Sequence, residues 1–357
     1  MAASSASARA DLFRLLGDED RLRLLALCDA EELTVGELAL LLRESQPQVT
    51  RKTQPLRDAG LLHERRDGTR ILLRTETDRD PVVAAALEAG RSLCLAEGQL
   101  AKVPAVVAER EETSRRFFAE AQARPANSPE LAGEQALRAL MPFISLLAPM
   151  LAGHGLAVDL GTGEGALLPL LSPIYDHVIA VDRSPARLAK AAERISALGL
   201  PNVRLREAAV DDTDLAQEVA RAGGADLVTL VRVLHHAARP QDVVASAKRL
   251  LRPGGHLVLV DHLPHDNEGL REQGHVWLGF EPAKLRQFLT DAGLVELAPV
   301  SLRSHEQPAL QLALGRMPSR DGSAGPGPGE PKRGKAWKPS QGFHVNEKTK
   351  KRSPGES

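Results

Sequence analysis

From Gly155 onward, short apolar runs alternate with helical stretches, and no other feature constrains the fold as tightly. The runs "LAVDL", "HVIAVD", "VRLREA", "ADLVTLV" and "HLVLVDH" are rich in β-formers. Strands alternating with helices imply right-handed crossover units and a parallel sheet with helices on both faces. A last strand is expected at "ALQLALG", residues 309–315. Directly after the first run, "DLGTGEGALLPLL" places Gly161, Gly163 and Gly165 ahead of helical spacing. Glycines at a strand-to-helix turn let another backbone or a ligand come close. A tight turn without a ligand leaves the same trace.

Asp182 ends the next run, 17 residues after Gly165. A carboxylate at that place can accept both hydroxyls of a ribose. Charge then selects the nucleotide. A pyrophosphate seeks the N–H groups of a helix start, but here Asp159 precedes the glycines and Glu164 lies among them. Each carboxylate would repel a phosphate by about 1 kcal/mol even in a well-screened site. S-adenosylmethionine (SAM) carries no phosphate and presents an ammonium and a sulfonium. The glycines would admit its amino-acid end, and Asp182 would hold its ribose.

The first third reads differently. Leu12, Leu15 and Leu16, then Leu22, Leu24, Leu25 and Leu27, give helical spacing interrupted at Gly17-Asp18. Thr34 with Glu37 predicts a capped third helix. Ser45, with Pro47 in the first turn, predicts a fourth helix running toward Gly60. "LLHERR", "DGT" and "RILLRT" predict a hairpin whose turn type stays open. This order is winged helix-turn-helix grammar, in which one helix reads base edges and the wing meets the backbone. Ser45, Gln46, Gln48, Thr50, Arg51 and Lys52 are the candidate contacts on the helix, with Arg65, Arg66 and Arg70 on the wing. A helical protein-interaction module with solvated arginines is the alternative.

"LFRLLGDEDRLRLLALC", "ELTVGELALLL", "SQPQVTRKTQPLRDAGLL" and "RRDGTRILL" resemble the ArsR-type winged-helix repressors over residues 8–76. The resemblance implies a dimer on a two-fold DNA operator. Thr34-Val35-Gly36-Glu37 carries no thiolate where metal-sensing members have cysteines, so their metal site is not expected. Pro55 inside the fourth helix predicts a kink or an early end, and Thr53 stands where an apolar residue is expected. Residues 81–122 are expected to be mostly helical, with a break at Pro104, and 123–130 to form a linker.

The later segments, "AVDLGTGEG" through "AKRLLRPGGHLVLVDHLPH", resemble class I SAM-dependent methyltransferases over residues 155–262. "AEREETSRRFFAEA" and "DHLPHDNEGLREQGHVWLGF" are similar to the methyltransferase half of ArsR–methyltransferase fusion regulators. The cofactor set implied is Asp159, Gly161, Thr162, Gly163, Glu164, Gly165, Asp182, Arg183, Asp211 and Val231. Ala208-Ala209 occupies the place of the usual Gly-Asp, leaving Asp211 or Asp212 to face adenine. The segment after "RRFF" lacks the family's aromatics, which implies a weakened acceptor pocket.

A general base is needed only for a protonated acceptor. His235, His236 and Asp261 are the catalytic candidates, while His262, His265 and His275 also invite a metal reading. Their spacing matches no zinc pattern, and no resident metal is expected. No Asn/Asp-Pro-Pro-Tyr follows the fourth strand and no cysteine lies beyond Cys94. Those absences disfavour base N-methylation of nucleic acid and leave an unidentified small molecule as acceptor.

The fold class expected is therefore α/β: an amino-terminal winged helix-turn-helix and a carboxy-terminal Rossmann-like, doubly wound methyltransferase domain. The expected divisions are 1–76 for DNA binding, 77–130 for a helical dimerisation and cap region, 131–315 for the SAM domain and 316–357 for a tail. From Arg316 on there are ten Lys/Arg against four Asp/Glu, so the Pro/Gly-rich tail is expected to be disordered and basic. Two cysteines and no long apolar run point to a reducing, cytoplasmic location and to no membrane partner. The function expected is a DNA-binding, homodimeric transcription regulator with a SAM-dependent methyltransferase domain. Two alternatives are a non-catalytic sensor of SAM against S-adenosylhomocysteine, and an enzyme whose winged helix serves only dimerisation.

Overall fold

Each apolar run of the carboxy-terminal half forms a strand, because burial on both faces rewards an unbroken apolar sequence. A computed structural model of the chain describes residues 2–75, 80–112, 116, 151, 153–296 and 308–319. The strands are β4 (Leu156–Leu160), β5 (His177–Asp182), β6 (Val203–Glu207), β7 (Ala225–Val231), β8 (Leu251–His262), β9 (Val295–Glu296) and β10 (Leu310–Arg316). All residues of β4 and β7 are buried. The sheet order is β6-β5-β4-β7-β8-β10-β9. The first five are parallel, and β10 runs antiparallel to β8 from Leu310↔His262 to Arg316↔His256. Arg316, expected to open the tail, is instead the last residue of β10. The short strand β9 carries no apolar run that would announce it.

The amino-terminal third supplies helices α1 (Ala2–Leu16), α2 (Glu19–Ala30), α3 (Val35–Leu42) and α4 (Gln46–Asp58), with strands β1 (Leu33–Thr34), β2 (Leu62–Asp67) and β3 (Arg70–Thr75). The three strands form an antiparallel sheet in the order β1-β3-β2. Asp18 caps α2 by accepting from the Arg21 amide, and Thr34 and Glu37 form the capping box of α3. The hairpin turn is Gly68-Thr69, since Asp67 pairs with Arg70 in the ladder. Gly68 supplies the positive φ of 62° that a two-residue turn needs.

Both prolines expected to break helices lie within them. Helix α4 continues through Pro55 to Asp58, because Val49, Thr53 and Leu56 hold one face in the core. The buried Thr53 hydroxyl is satisfied by donating to the Thr50 carbonyl at 3.0 Å. Helices α5 (Pro81–Ala96) and α6 (Gln99–Ala108) meet at Gly98, where φ is 69°. Pro104 sits inside α6, flanked by buried Val103 and Val107. One lost backbone hydrogen bond is outweighed there by apolar burial. The expected linker at 123–130, the cap stretch from 117 and the tail from 320 lie outside the described residues. Among the described residues no helix is long and apolar enough to cross a membrane. Cys28 and Cys94 are free and buried.

Helices α2 and α5 pack tightly at Gly90, where a Cβ would be driven into the Leu22 carbonyl. Gly90→Ala should therefore destabilise the fold by about 2–3 kcal/mol through overpacking. A thermal melt unchanged within error would show that the helices can move apart at no cost.

The amino-terminal sheet is bolted to the α/β portion at the hairpin. Asp67 accepts from the Leu278 amide at 2.6 Å and from Arg271 at 2.8 Å. Glu268 accepts from the Thr69 amide at 2.6 Å and from Arg271 at 2.8 Å. Nearby, Trp277 lies 5.2 Å from the guanidinium groups of both Arg65 and Arg110, within cation–π range. Leu72 of β3 joins the core cluster that contains Trp277 and Phe280.

Candidate cofactor cavity and histidine cluster

At the carboxyl ends of the parallel strands the glycine turn folds back over β5. The amides of Gly161 and Thr162 donate to the Val181 carbonyl at 2.8 and 2.9 Å. The Gly163 amide donates to Asp182 Oδ2 at 2.8 Å, and the Ser184 amide to Oδ1 at 2.9 Å. All three glycines have positive φ, and a Cβ on Gly161 would strike Val233. Asp182 is therefore clamped by two backbone amides. Each of its oxygens keeps acceptor capacity for a further hydroxyl. The helix after the turn, α7 (Leu168–Leu171), is a single turn. It starts three residues later than the glycines suggest and offers no long dipole for a phosphate.

A cavity of about 650 Å³ opens beside this turn. Gly161, Asp182, Arg183 and Asp211, all expected at the cofactor, line it. Other expected residues do not. Asp159 is buried and accepts the Thr229 hydroxyl at 2.6 Å, and its desolvation raises its pKa. It braces two strands. Glu164 turns away to pair with Lys190 of the following helix, α8 (Pro185–Leu198). Val231 is buried below the rim, and the rim itself is made by Arg232 and Val233. Of the two carboxylates invoked against a phosphate, Asp159 is thus buried away from the cavity and Glu164 is paired with Lys190, and the cavity's own acidic lining is Asp182 with Asp211, Glu111 and Asp242. Arg183, Arg187 and Arg232 also face it.

Sequence reasoning missed two contributors. Pro104, Val107 and Ala108 of α6 form one wall, bringing the amino-terminal portion into the site. Arg232 has φ 58°, a strained value for a residue with a side chain. Its amide donates to the Val260 carbonyl at 2.8 Å and starts the turn that places the histidines. No sequence signal marks that conformation.

His235 and His236 lie on a 3-10 turn after β7 (Leu234–His236), and Asp261 and His262 end β8 beside it. Val231 pairs with Val260 in the ladder, which sets these ends next to each other. Asp261 Oδ1 is 2.7 Å from His235 Nδ1, and both side chains are fully buried. Neither of these two catalytic candidates lines the cavity. His236 does line it, with Nδ1 2.8 Å from the Gly274 carbonyl. Burial lowers the pKa of His235 and His236, and it lowers His262 to about 4 and His275 to about 2. These rings are neutral at pH 7.

The helix expected to read DNA is only partly available. Gln46, Thr50 and Arg51 are exposed. Gln48 and Ser45 are engaged with each other, the Ser45 amide and hydroxyl donating to Gln48 Oε1 at 3.0 and 2.6 Å. Lys52, expected at a phosphate, is paired with Asp20 and Glu44 at 2.7 and 2.6 Å. Arg65 is a correction of the same kind. It forms a two-pronged pair with Glu32 at 3.0 and 2.7 Å and stacks on Trp277, so it faces inward. Arg66 and Arg70 stay exposed on the hairpin.

Residues 132–298 match the family of methyltransferase domains. The chain is 32% identical over 119 residues to a phosphatidylethanolamine N-methyltransferase of Cereibacter sphaeroides, covering 32% of this chain and 54% of that one. It is 30% identical over 100 residues to a ubiquinone biosynthesis O-methyltransferase of Acinetobacter baumannii, covering 28% and 40%. The chain thus spans about half the length of these relatives. Among solved structures, an O-methyltransferase family protein of Burkholderia thailandensis matches at 17% identity and TM-score 0.44, over 89% of this chain and 96% of that one. The N-methyltransferase NodS of Bradyrhizobium japonicum, in complex with S-adenosyl-L-homocysteine, matches at 19% and 0.43, over 58% and 99%. Residues 132–298 are thus similar to a methyltransferase domain, and Gly161 and Asp182 line the cavity within that span.

Proposed function

We propose that the protein binds SAM in the 650 Å³ cavity and transfers its methyl group to a small-molecule acceptor. The observation that carries this reading is Asp182, clamped on a cavity wall by the amides of Gly163 and Ser184. The cavity volume falls within the 300–1,000 Å³ usual for cofactor sites. SAM, when bound, supplies an electrophilic methyl on a sulfonium. The chain's part is to align donor and acceptor and to exclude water. Asp182 accepts from ribose hydroxyls, and Gly161 and Gly163 admit the amino-acid end. If His236 donates from Nδ1 to the Gly274 carbonyl, its Nε2 is the ring's proton acceptor at the cavity wall. The Asp261–His235 pair behind it holds the turn.

We read the first 76 residues as a winged helix, followed by helices α5 and α6, of which α6 closes the cavity. Helix α4 would present Gln46, Thr50 and Arg51 to an operator, with Arg66 on the wing. Because α6 walls the cavity, cofactor occupancy can bias the amino-terminal portion by its difference in affinity between two states. That geometry supports a regulator, or a SAM sensor, over an enzyme with an uncoupled module. The inward Arg65 and the hairpin bolted at Asp67 favour a second reading, in which the winged helix serves packing or dimerisation.

Calorimetry with SAM tests the core of the proposal. Asp182→Ala should weaken binding about 10- to 100-fold, the scale of one or two charged hydrogen bonds. Equal affinity in the variant would place the cofactor elsewhere. Labelled SAM with cell extract separates enzyme from sensor. Retardation of upstream DNA at low salt, absent in Arg51→Ala, separates regulator from packing module.

A further inference from the structure

Five histidines converge where β7 and β8 end, and the methyl-transfer reading uses only one of them directly. The ring centroids of His235 and His236 are 4.1 Å apart, those of His235 and His275 4.1 Å, and those of His236 and His275 5.1 Å. Each of these three offers a ring nitrogen within 4.8 Å of the other two. His262 adds a fourth ring 4.9 Å from His235. The backbone holds the group together. Amides of Val276 and Trp277 donate to the His235 carbonyl at 2.8 and 3.1 Å, and the His275 amide donates to the Leu270 carbonyl at 3.1 Å.

We propose that His235, His236 and His275 form a binding site for one divalent transition-metal ion. The argument begins with unsatisfied atoms. Buried polar nitrogens in folded proteins are nearly always hydrogen-bonded. Here His235 Nε2 and His275 Nδ1 are buried without a partner among the described residues, as are both ring nitrogens of neighbouring His262. Several orphaned imidazole nitrogens facing one another are what a missing shared electrophile would satisfy. The outer contacts agree. Asp261 Oδ1 takes His235 Nδ1 and the Gly274 carbonyl takes His236 Nδ1. A ligating histidine typically donates its other ring N–H to a carboxylate or a carbonyl in this way. Both tautomers then direct Nε2 as the electron-pair donor.

The donor set selects the ion. Three imidazoles without thiolate suit zinc, cobalt, nickel or copper, and not magnesium or calcium. Metal–nitrogen bonds of about 2.0–2.1 Å put tetrahedral ligand atoms roughly 3.4 Å apart, so the rings need to draw in by about 1.5 Å at most. Three protein ligands leave a fourth position, and His236 reaches the cofactor cavity from this cluster. The inference goes beyond methyl transfer and does not depend on it, since binding is read without SAM; with the ion bound, the Nε2 lone pair of His236 is a ligand and no longer a proton acceptor.

The test uses the full chain without a polyhistidine tag, stripped with a chelator. Zn²⁺ is titrated by calorimetry and Co²⁺ by visible absorption. One ion per chain, with the intense bands of tetrahedral cobalt, is expected. His275→Gln should weaken Zn²⁺ at least tenfold. His236→Gln, at the partly exposed cavity wall, repeats the test where burial is less of a folding risk. His63→Gln, on β2 outside the cluster, should leave affinity unchanged. Stoichiometry far below one, or cluster variants that bind like the parent, would overturn the site and leave a solvent-bridged imidazole network. A chain that binds Zn²⁺ but not SAM sinks the methyl-transfer reading alone, and the opposite result sinks this one alone.

Discussion

Asp67→Ala is expected to lower stability by about 3–5 kcal/mol, the usual cost of removing one partner from a buried ion pair. Asp67 is 3% exposed and holds two donors from the α/β portion, the Leu278 amide and the Arg271 guanidinium. Truncation leaves a buried cation and a buried N–H without that acceptor, and each loss carries a desolvation cost. Arg271 keeps Glu268 and the Val276 carbonyl, which holds the expected loss within that range rather than above it. Asp67→Asn keeps an acceptor for Leu278 but not the charge, so it should fall between the parent and the alanine variant. The exposed Arg14–Asp11 pair, with side chains 77% and 65% exposed, is the control, and breaking it should change little. Denaturant titrations of the three variants decide the matter. A shift for Asp67→Ala no larger than for Asp11→Ala would mean that the hairpin contacts are incidental.

This contact marks the limit of what the sequence discloses. Strands β4, β5 and β7 were legible because a central parallel strand is apolar on both faces, and the Thr34–Glu37 capping box because its partners are three residues apart. Asp67 and Arg271 are 204 residues apart, and each alone reads as an ordinary surface charge. A nucleotide-binding turn was legible from the glycines and Asp182, whereas the choice of SAM rested on the charges of Asp159 and Glu164, which do not line the cavity. The role given to Glu164 was not sound, since its neutralising Lys190 lies a full crossover away. The histidines read as two unrelated groups, 235–236 and 262–275. Only the pairing of Val231 with Val260 sets them side by side. Pro55 and Pro104 misled for a related reason: local propensity favours a break, and tertiary burial of Val49, Leu56, Val103 and Val107 overrides it.

The same cluster makes the metal-free protein acid-sensitive well above the range where carboxylates titrate. In an unfolded chain a histidine titrates near pH 6.5. In the fold, burial and neighbouring cations hold His262 at about 4 and His275 at about 2. Below 6.5 the unfolded state therefore binds protons that the folded state refuses, and stability falls as pH falls. The contribution is fully present above pH 6.5 and is lost progressively toward the folded values. Two such groups amount to about 2.7 kcal/mol per pH unit once both titrate in the unfolded chain. His235, His236 and His265 shift in the same direction. Asp261 opposes them, because burial raises its pKa and lets the folded state take up a proton as pH falls. Arg232, facing the cluster, sides with the neutral imidazoles. The net expectation is a loss of about 3–5 kcal/mol between pH 7 and 5 in the presence of chelator. Thermal melts across that interval measure it. His275→Gln should flatten the slope by about one proton, and a parent melting temperature constant from pH 7 to 5 would show that the imidazoles stay solvated enough to charge within the fold.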